Sequence, residues 1–265
     1  MSFSRIPGHS EIIEKLVLSV REGRVSHAQL FTGPEGCGSL ALAFAYARYI
    51  GCENRGETDS CGSCKSCLKH EKMIHPDMHY VFPVIKKKNS TDEPLSDDYL
   101  AAWREFNQKS PFGRVNDWLA FIGAGEHNAQ GMIYTAESAE IIRKMSLKPY
   151  ESDYKIMVIW QPERMNPTSA NKLLKLLEEP PERTIFILVS DEPDRLLPTI
   201  ISRCQIVKIP PFSTGEIKSY LRASFGATET EAENTARLAR GNIARAEELS
   251  NADEALKQNL GYFRE

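Results

Sequence analysis

Apolar residues at positions 12, 13, 16, 17 and 20 recur with the helical period, and Gly23 follows as a stop signal, so the chain opens with an amphipathic helix over Glu11–Arg21. The apolar run Ala28 to Thr32 predicts a strand, and Leu40 to Ile50 predicts a helix. Met78 to Val84 reads as another strand, and the polar stretch Lys86 to Asp98 as a solvated loop. Leu100 to Ile122 carries Trp103, Phe106, Trp118 and Phe121; it is too aromatic for a linker and reads as an inserted helical piece. Ala136 to Leu147 is amphipathic. Two continuous apolar runs, Lys155–Trp160 and Thr184–Ser190, suit strands of a parallel sheet buried on both faces. Between them, Asn166 is an N-cap candidate with Pro167 at the first helical position. Leu173, Leu174, Leu176 and Leu177 form the expected buried stripe, and Pro180 ends the helix by disfavouring helical geometry at Glu179.

This alternation of strands and helices predicts a doubly wound α/β domain over residues 1–209, with a four-cysteine module at 52–67 and an insertion at about 86–135. Pro210-Pro211 marks a boundary, and helical stretches near 213–225, 229–240 and 242–250 predict a small all-α domain over 210–252. With 265 residues, 41% hydrophobic and 26% charged, the chain has ordinary globular composition, and its net charge of −3 gives no global basic field for nucleic acid. The N-terminus is no signal peptide, and no run approaches the ~18–20 apolar residues of a membrane span, so a cytoplasmic protein is expected.

Cys52, Cys61, Cys64 and Cys67 are four of the six cysteines and follow C-x8-C-x2-C-x2-C. In a reducing compartment such a cluster argues for metal rather than disulfides. C-x2-C spacing lets two thiolates meet one metal through a tight turn, which Gly62 and Ser63 permit, and four thiolates make a closed structural zinc site with no open position for substrate. The plain alternative is a set of free thiols. His70 and His75 are spare donors nearby, or ordinary surface or packing residues.

Gly33-Pro34-Glu35-Gly36-Cys37-Gly38 lies between a predicted strand and a predicted helix and keeps the glycine spacing of a phosphate-binding loop, G-x4-G-K-[ST]. Ser39 stands where Lys would reach the β/γ-phosphates, and Leu40 where a hydroxyl would hold Mg²⁺. The loop is therefore expected to have no functional ATP site, although its amides and the helix N-terminus could attract an anion. A mere glycine turn is the alternative. In nucleotide hydrolases a later strand ends in acids that hold Mg²⁺. Here Ile156–Trp160 is followed by Gln161-Pro162-Glu163, with no acid directly after the strand and Glu163 expected out of reach. Arg203, in Ser202-Arg203-Cys204, reads on composition alone as a surface arginine at a helix end.

Four segments taken together resemble the delta-prime subunits of bacterial DNA polymerase III clamp loaders. They are His27-Ala-Gln-Leu-Phe-Thr-Gly-Pro-Glu-Gly-Cys-Gly38, the cysteine module, Asn171-Lys-Leu-Leu-Lys-Leu-Leu-Glu-Glu-Pro-Pro181 and Pro198-Thr-Ile-Ile-Ser-Arg-Cys-Gln205, in the family's order across most of residues 5–250. The resemblance implies an AAA+ fold, a helical lid and a helical collar joining five subunits in a ring. It implies a subunit of the DNA polymerase holoenzyme that hydrolyses no nucleotide itself and whose partners are gamma/tau-type motor subunits, delta, and through the assembly the sliding clamp and primed DNA. By the same match Arg203 is an arginine finger acting in trans on ATP bound to a neighbouring motor subunit. Motor subunits carry a sensing Arg in G-S-x-R, whereas Gly241-Asn-Ile-Ala244 puts Ala there, with Arg245 one step on. Two departures stand out. Residues 86–135 are longer than the family's usual connection, and 253–265 are expected to begin a linker to a collar domain that is absent.

Two other classes compete. A stand-alone ATPase with a degenerate loop would need Lys172 or Lys175, which fall on the solvated side of the Leu-rich helix. A zinc-dependent nucleic-acid-binding module would use Lys65, Lys69, Lys72 and the run Lys86–Lys88, but no aromatics are interleaved for base stacking.

Overall fold

The computed structural model describes residues 1–86, 92–124 and 131–262, with side chains through residue 252. Lys87 and Lys88 of the short basic run lie outside the described residues, as do two pieces of the 86–135 insertion. Five parallel strands form one sheet in the order β2-β3-β4-β1-β5: β1 Ala28–Thr32, β2 Met78–Val81, β3 Lys155–Trp160, β4 Thr184–Ser190 and β5 Gln205–Lys208. Every residue of β3 and β4 is buried. Alternation then divides each strand between two cores. Phe31, Ile156, Val158, Trp160, Ile185, Ile187 and Val189 face one core, and Leu30, Met157, Ile159, Phe186 and Leu188 face the other.

The first face is covered by α1 (Ser10–Arg21), α2 (Ser39–Gly51), α4 (Leu100–Lys109) and α5 (Val115–Phe121), the second by α6 (Glu137–Ser146), α7 (Pro167–Glu178) and α8 (Pro198–Ile201). A short helix, α3 (Lys65–Glu71), follows the cysteine module. In α7 the Asn166 side chain accepts from the Thr168 amide as an N-cap. Its buried stripe is Ser169, Ala170, Leu173 and Leu177. Leu174 and Leu176 are only partly buried, because one helix laid on a sheet hides a stripe at i, i+3, i+4 rather than four neighbouring leucines. Among the described residues no helix is long and apolar enough to cross a membrane.

The expected strand over 78–84 stops at Val81. Pro83 has no amide to donate to a ladder, and Val84 makes only an isolated bridge to Met132. The stretch read as a solvated loop before residue 98 is partly structural. Ser96–Tyr99 forms a 3₁₀ turn in which the buried Ser96 hydroxyl donates to the Phe82 carbonyl (3.2 Å) and accepts from its amide (3.1 Å). After Pro211 come α9 (Thr214–Phe225), α10 (Glu229–Ala239) and α11 (Ile243–Tyr262), the last extending well past the expected 250. Residues 251–258 are Asn-Ala-Asp-Glu-Ala-Leu-Lys-Gln, mostly good helix formers with no Gly or Pro to stop the turn. Capping boxes at Ser213/Glu216 and Thr228/Glu231 start the first two helices.

The aromatic insertion belongs to the main core. Trp103 stacks on Phe82 at 4.1 Å, meets Trp118 edge-on at 5.1 Å and lies 5.2 Å from Trp160 at the end of β3. Trp118 donates its indole N–H to the Pro83 carbonyl at 2.7 Å. Truncating a buried aromatic of this size removes its transfer energy and leaves a cavity. Trp118→Ala is therefore expected to lower stability by about 3–5 kcal/mol in urea unfolding, whereas an independent surface decoration would leave the midpoint unchanged.

Candidate functional site

The glycine loop sits where the parallel sheet dictates, at the C-terminal end of β1 and the N-terminus of α2. Its glycines are needed where they stand. A Cβ at Gly33 would meet the Ile209 carbonyl oxygen at 2.1 Å, and Gly36 and Gly38 have φ of +78° and +79°. The loop is covered where its backbone turns, while Pro34 and Glu35 stay exposed. Phe212 lies over Gly38, and Asn242 lies over Gly36. The Ile243 amide donates to the Gly36 carbonyl at 3.1 Å, so α11 begins directly on the loop. The inserted segment places Pro111, Phe112, Gly113 and Arg114 beside the loop. What is left beside the first-turn residues of α2 is a cavity of about 20 Å³. That is room for roughly one water, against ~300–1,000 Å³ for ordinary small-molecule sites.

His9, at the N-cap of α1 with φ +63°, is bonded through Nε2 to the Cys37 carbonyl oxygen (2.8 Å) and stacks on Phe212 at 4.3 Å. Burial holds its pKa below the usual histidine value.

The acid beside the loop follows β4 rather than β3. Asp191 directly follows β4 and lines the small cavity, whereas Gln161 after β3 donates its amide Nε2 to the Asp191 carboxylate at 2.6 Å. Burial pushes Asp191 up to about 7, with the charge of Glu163 adding to it. Glu163 does not line the cavity; it is turned to the end of β4, accepts from the Glu192 amide at 3.2 Å, and is itself raised by burial. The signal that could have found Asp191 was the acid immediately after the TIFILVS run. Arg114 and Phe112 carried no local signal. Lys172 and Lys175 are exposed on α7 and line no part of the loop cavity.

Arg203 lies between α8 and the start of β5, at the end of the sheet opposite the loop. Its guanidinium donates to the Thr199 carbonyl (2.7 Å) and forms an ion pair with Glu178 at the end of α7. About a third of the side chain remains exposed.

The four cysteines come together after α2. Their sulfur atoms all lie within 4.8 Å of one another, with Cys61 and Cys67 4.0 Å apart. Tetrahedral Zn–S bonds of about 2.3 Å place sulfurs about 3.8 Å apart, so the donor set fits that ion. Amides of Cys61, Cys64 and Cys67 donate to the sulfurs of Cys52, Cys61 and Cys64 at 3.3–3.4 Å, which stabilises thiolates. His70 and His75 stack on each other at 4.5 Å and pack in the interior rather than joining the cluster. Of the nearby lysines, Lys69 is paired with Glu151. The module is tied to the body by Arg48 of α2, whose guanidinium pairs with Glu71 of α3.

The family described as DNA polymerase III, delta subunit, matches residues 8–213. The chain is 30% identical over 246 residues to DNA polymerase III subunit delta' of Bacillus subtilis, covering 92% of this chain and 59% of that one. It is 31% identical over 198 residues to DNA polymerase III subunit delta' of Escherichia coli, covering 75% of this chain and 46% of that one. It thus spans about half the length of these relatives. The solved Thermotoga maritima RuvB Holliday junction branch migration motor shares the fold at a TM-score of 0.51, with 15% identity and coverage of 94% and 63%.

Asp191 gives the site a pH signature. Its folded pKa of about 7 lies above the ordinary 3.8, so at low pH it costs nothing, and its penalty grows as pH rises from about 4 and is complete above about 7. Asp191→Asn is expected to raise stability at pH 8 by on the order of 2–4 kcal/mol and to change nothing at pH 4. Thermal unfolding at the two pH values checks this, and an equal effect at both would contradict it.

Proposed function

The chain belongs to the DNA polymerase III delta-subunit family, and from that premise we propose that it is the non-hydrolysing delta-prime-type subunit of a clamp loader. In this reading it supplies Arg203 to ATP held by a neighbouring gamma/tau-type motor subunit while the assembly opens the sliding clamp and loads it on primed DNA. The observation that carries the first half is the filled loop: Ser39 and Leu40 replace the catalytic Lys and hydroxyl, and about 20 Å³ is left beside them. In this reading a triphosphate at the loop would have to displace Phe112 and Arg114.

The position of Arg203 supports the second half. It lies at the opposite end of the sheet from the chain's own loop, so it does not serve that loop. In a head-to-tail ring that end faces the next subunit's loop. Glu178 and the Thr199 carbonyl hold part of the guanidinium, and the exposed remainder is free to meet an anion. Arg suits this role because its planar fork is permanently charged and offers paired donors to phosphate oxygens. The four thiols would hold zinc, whose chemistry here is a closed structural cross-link. Residues 210–252 act as the lid.

In a reconstituted assembly, Arg203→Ala is expected to lower DNA-stimulated ATP hydrolysis at the adjoining site by about 10³-fold or more. Arg203→Lys should behave nearly the same, because Lys lacks the fork. Undiminished hydrolysis with Arg203→Ala would exclude the finger. Metal analysis of the purified chain should give one zinc per molecule. Cys64→Ala should lose it and lower Tm by about 5–10 °C; a zinc-free wild-type chain with the same Tm would remove the metal from this reading.

A further inference from the structure

Arg114 belongs to the insertion that the family resemblance leaves without a role, yet it is the most heavily connected charge beside the loop. Its Nε and Nη2 form a two-pronged contact with the Asp117 carboxylate at 2.8 and 2.9 Å. Nη2 also reaches Glu248 of α11 at 3.2 Å, and Nε lies 4.0 Å from Glu35 of the loop. One guanidinium thus bonds to the inserted helix α5 and a helix after Pro211, and lies within ion-pair range of the loop. Two residues earlier, Phe112 is buried and meets Phe212 edge-on at 6.3 Å and Tyr220 of α9 at 5.9 Å.

The charge logic of the loop is reversed. A phosphate loop ordinarily presents amides and a Lys to an anion. Here the acids Glu35 and Asp191 border the same space, and the cation comes from the insertion. The neighbouring packing shows why such a contact matters. Between α9 and the sheet side lies a cavity of 580 Å³, bordered by Phe44, Tyr80, Phe112, Ser219, Tyr220 and Ala223. Ile217 and Leu221 of α9 are buried in the main core, but beside them the helix is not packed flush, so polar contacts have a part in fixing its angle.

We propose that the segment Pro111–Asp117 is a built-in occupant of the phosphate loop, and that Arg114 is the positioning residue that fixes α9–α11 on the sheet in place of a nucleotide. Phe112 is the apolar anchor and Arg114 the polar clamp. A solvent-facing ion pair alone contributes little. The fork on Asp117 is what pre-orders Arg114, because it spends the side chain's freedom locally before Glu35 and Glu248 are engaged. This role is independent of Arg203 and stands whether or not the finger assignment holds.

Amide hydrogen exchange of the full chain tests it, comparing wild type with Arg114→Ala, Arg114→Lys and Phe112→Ala. Arg114→Ala and Phe112→Ala are expected to speed exchange at least ten-fold in residues 33–42 and 213–250 while β3 and β4 keep their protection; Arg114→Lys should restore only part of it. Unchanged exchange in those segments for both variants would overturn the proposal. So would an equal loss of protection in β3 and β4, because that would make the two residues ordinary contributors to global stability. Should Phe112→Ala fail to fold, Arg114→Ala, whose side chain lies at the surface of the joint, decides the outcome alone.

Discussion

The central strands have no face turned to water. β3 and β4 are buried along their whole length, and β1 is flanked by β4 and β5. Backbone polar groups there are consumed by the ladder, and side chains on both faces are consumed by helices. A sheet built this way can offer chemistry only at its two ends. One end carries the glycine loop and Asp191, and the other carries Arg203 with its Glu178 partner. The separation of the two sites follows from parallel topology rather than from any property of the residues.

At the loop end, distant parts of the chain lie directly on a glycine loop. Ile209 and Asn242 leave no room for a Cβ at Gly33 and Gly36, and Gly38 has a positive φ with Phe212 close above it. The same lack of side chains that lets backbone amides reach a phosphate lets another part of the protein lie directly on the backbone. The glycines thus have a packing reason to be there whatever stands at positions 39 and 40. Acids border the pocket, and Arg114 of the insertion lines it too, 4.0 Å from Glu35.

At the far end of α2 the cysteine module is fixed by two kinds of contact. The four sulfurs converge, and Arg48, nearly buried, carries an ion pair to Glu71. α2 has 13 residues, so the cluster lies about 20 Å from the loop at 1.5 Å per residue. That distance keeps the module away from the loop and suits a role in holding α2 and α3 together.

Much of this was legible in the residues themselves. The apolar runs at 28–32, 155–160 and 184–190 are strands at those bounds, the C-x2-C spacings converge, and the loop lies between strand and helix. Period and spacing report local geometry, and these features are local. The leucine stripe of α7 and the strand after Met78 were read too generously, because hydrophobicity does not say which side of a helix a sheet will cover or where a proline will halt a ladder. What fills the loop was decided only by the tertiary structure. Arg114 and Glu248 are 134 positions apart, and nothing in either segment encodes the other. The assignment of the acid to β4 rather than β3 likewise depends on which strand ends lie beside the loop, and that is set by strand order, the one property of a sheet that no single segment carries.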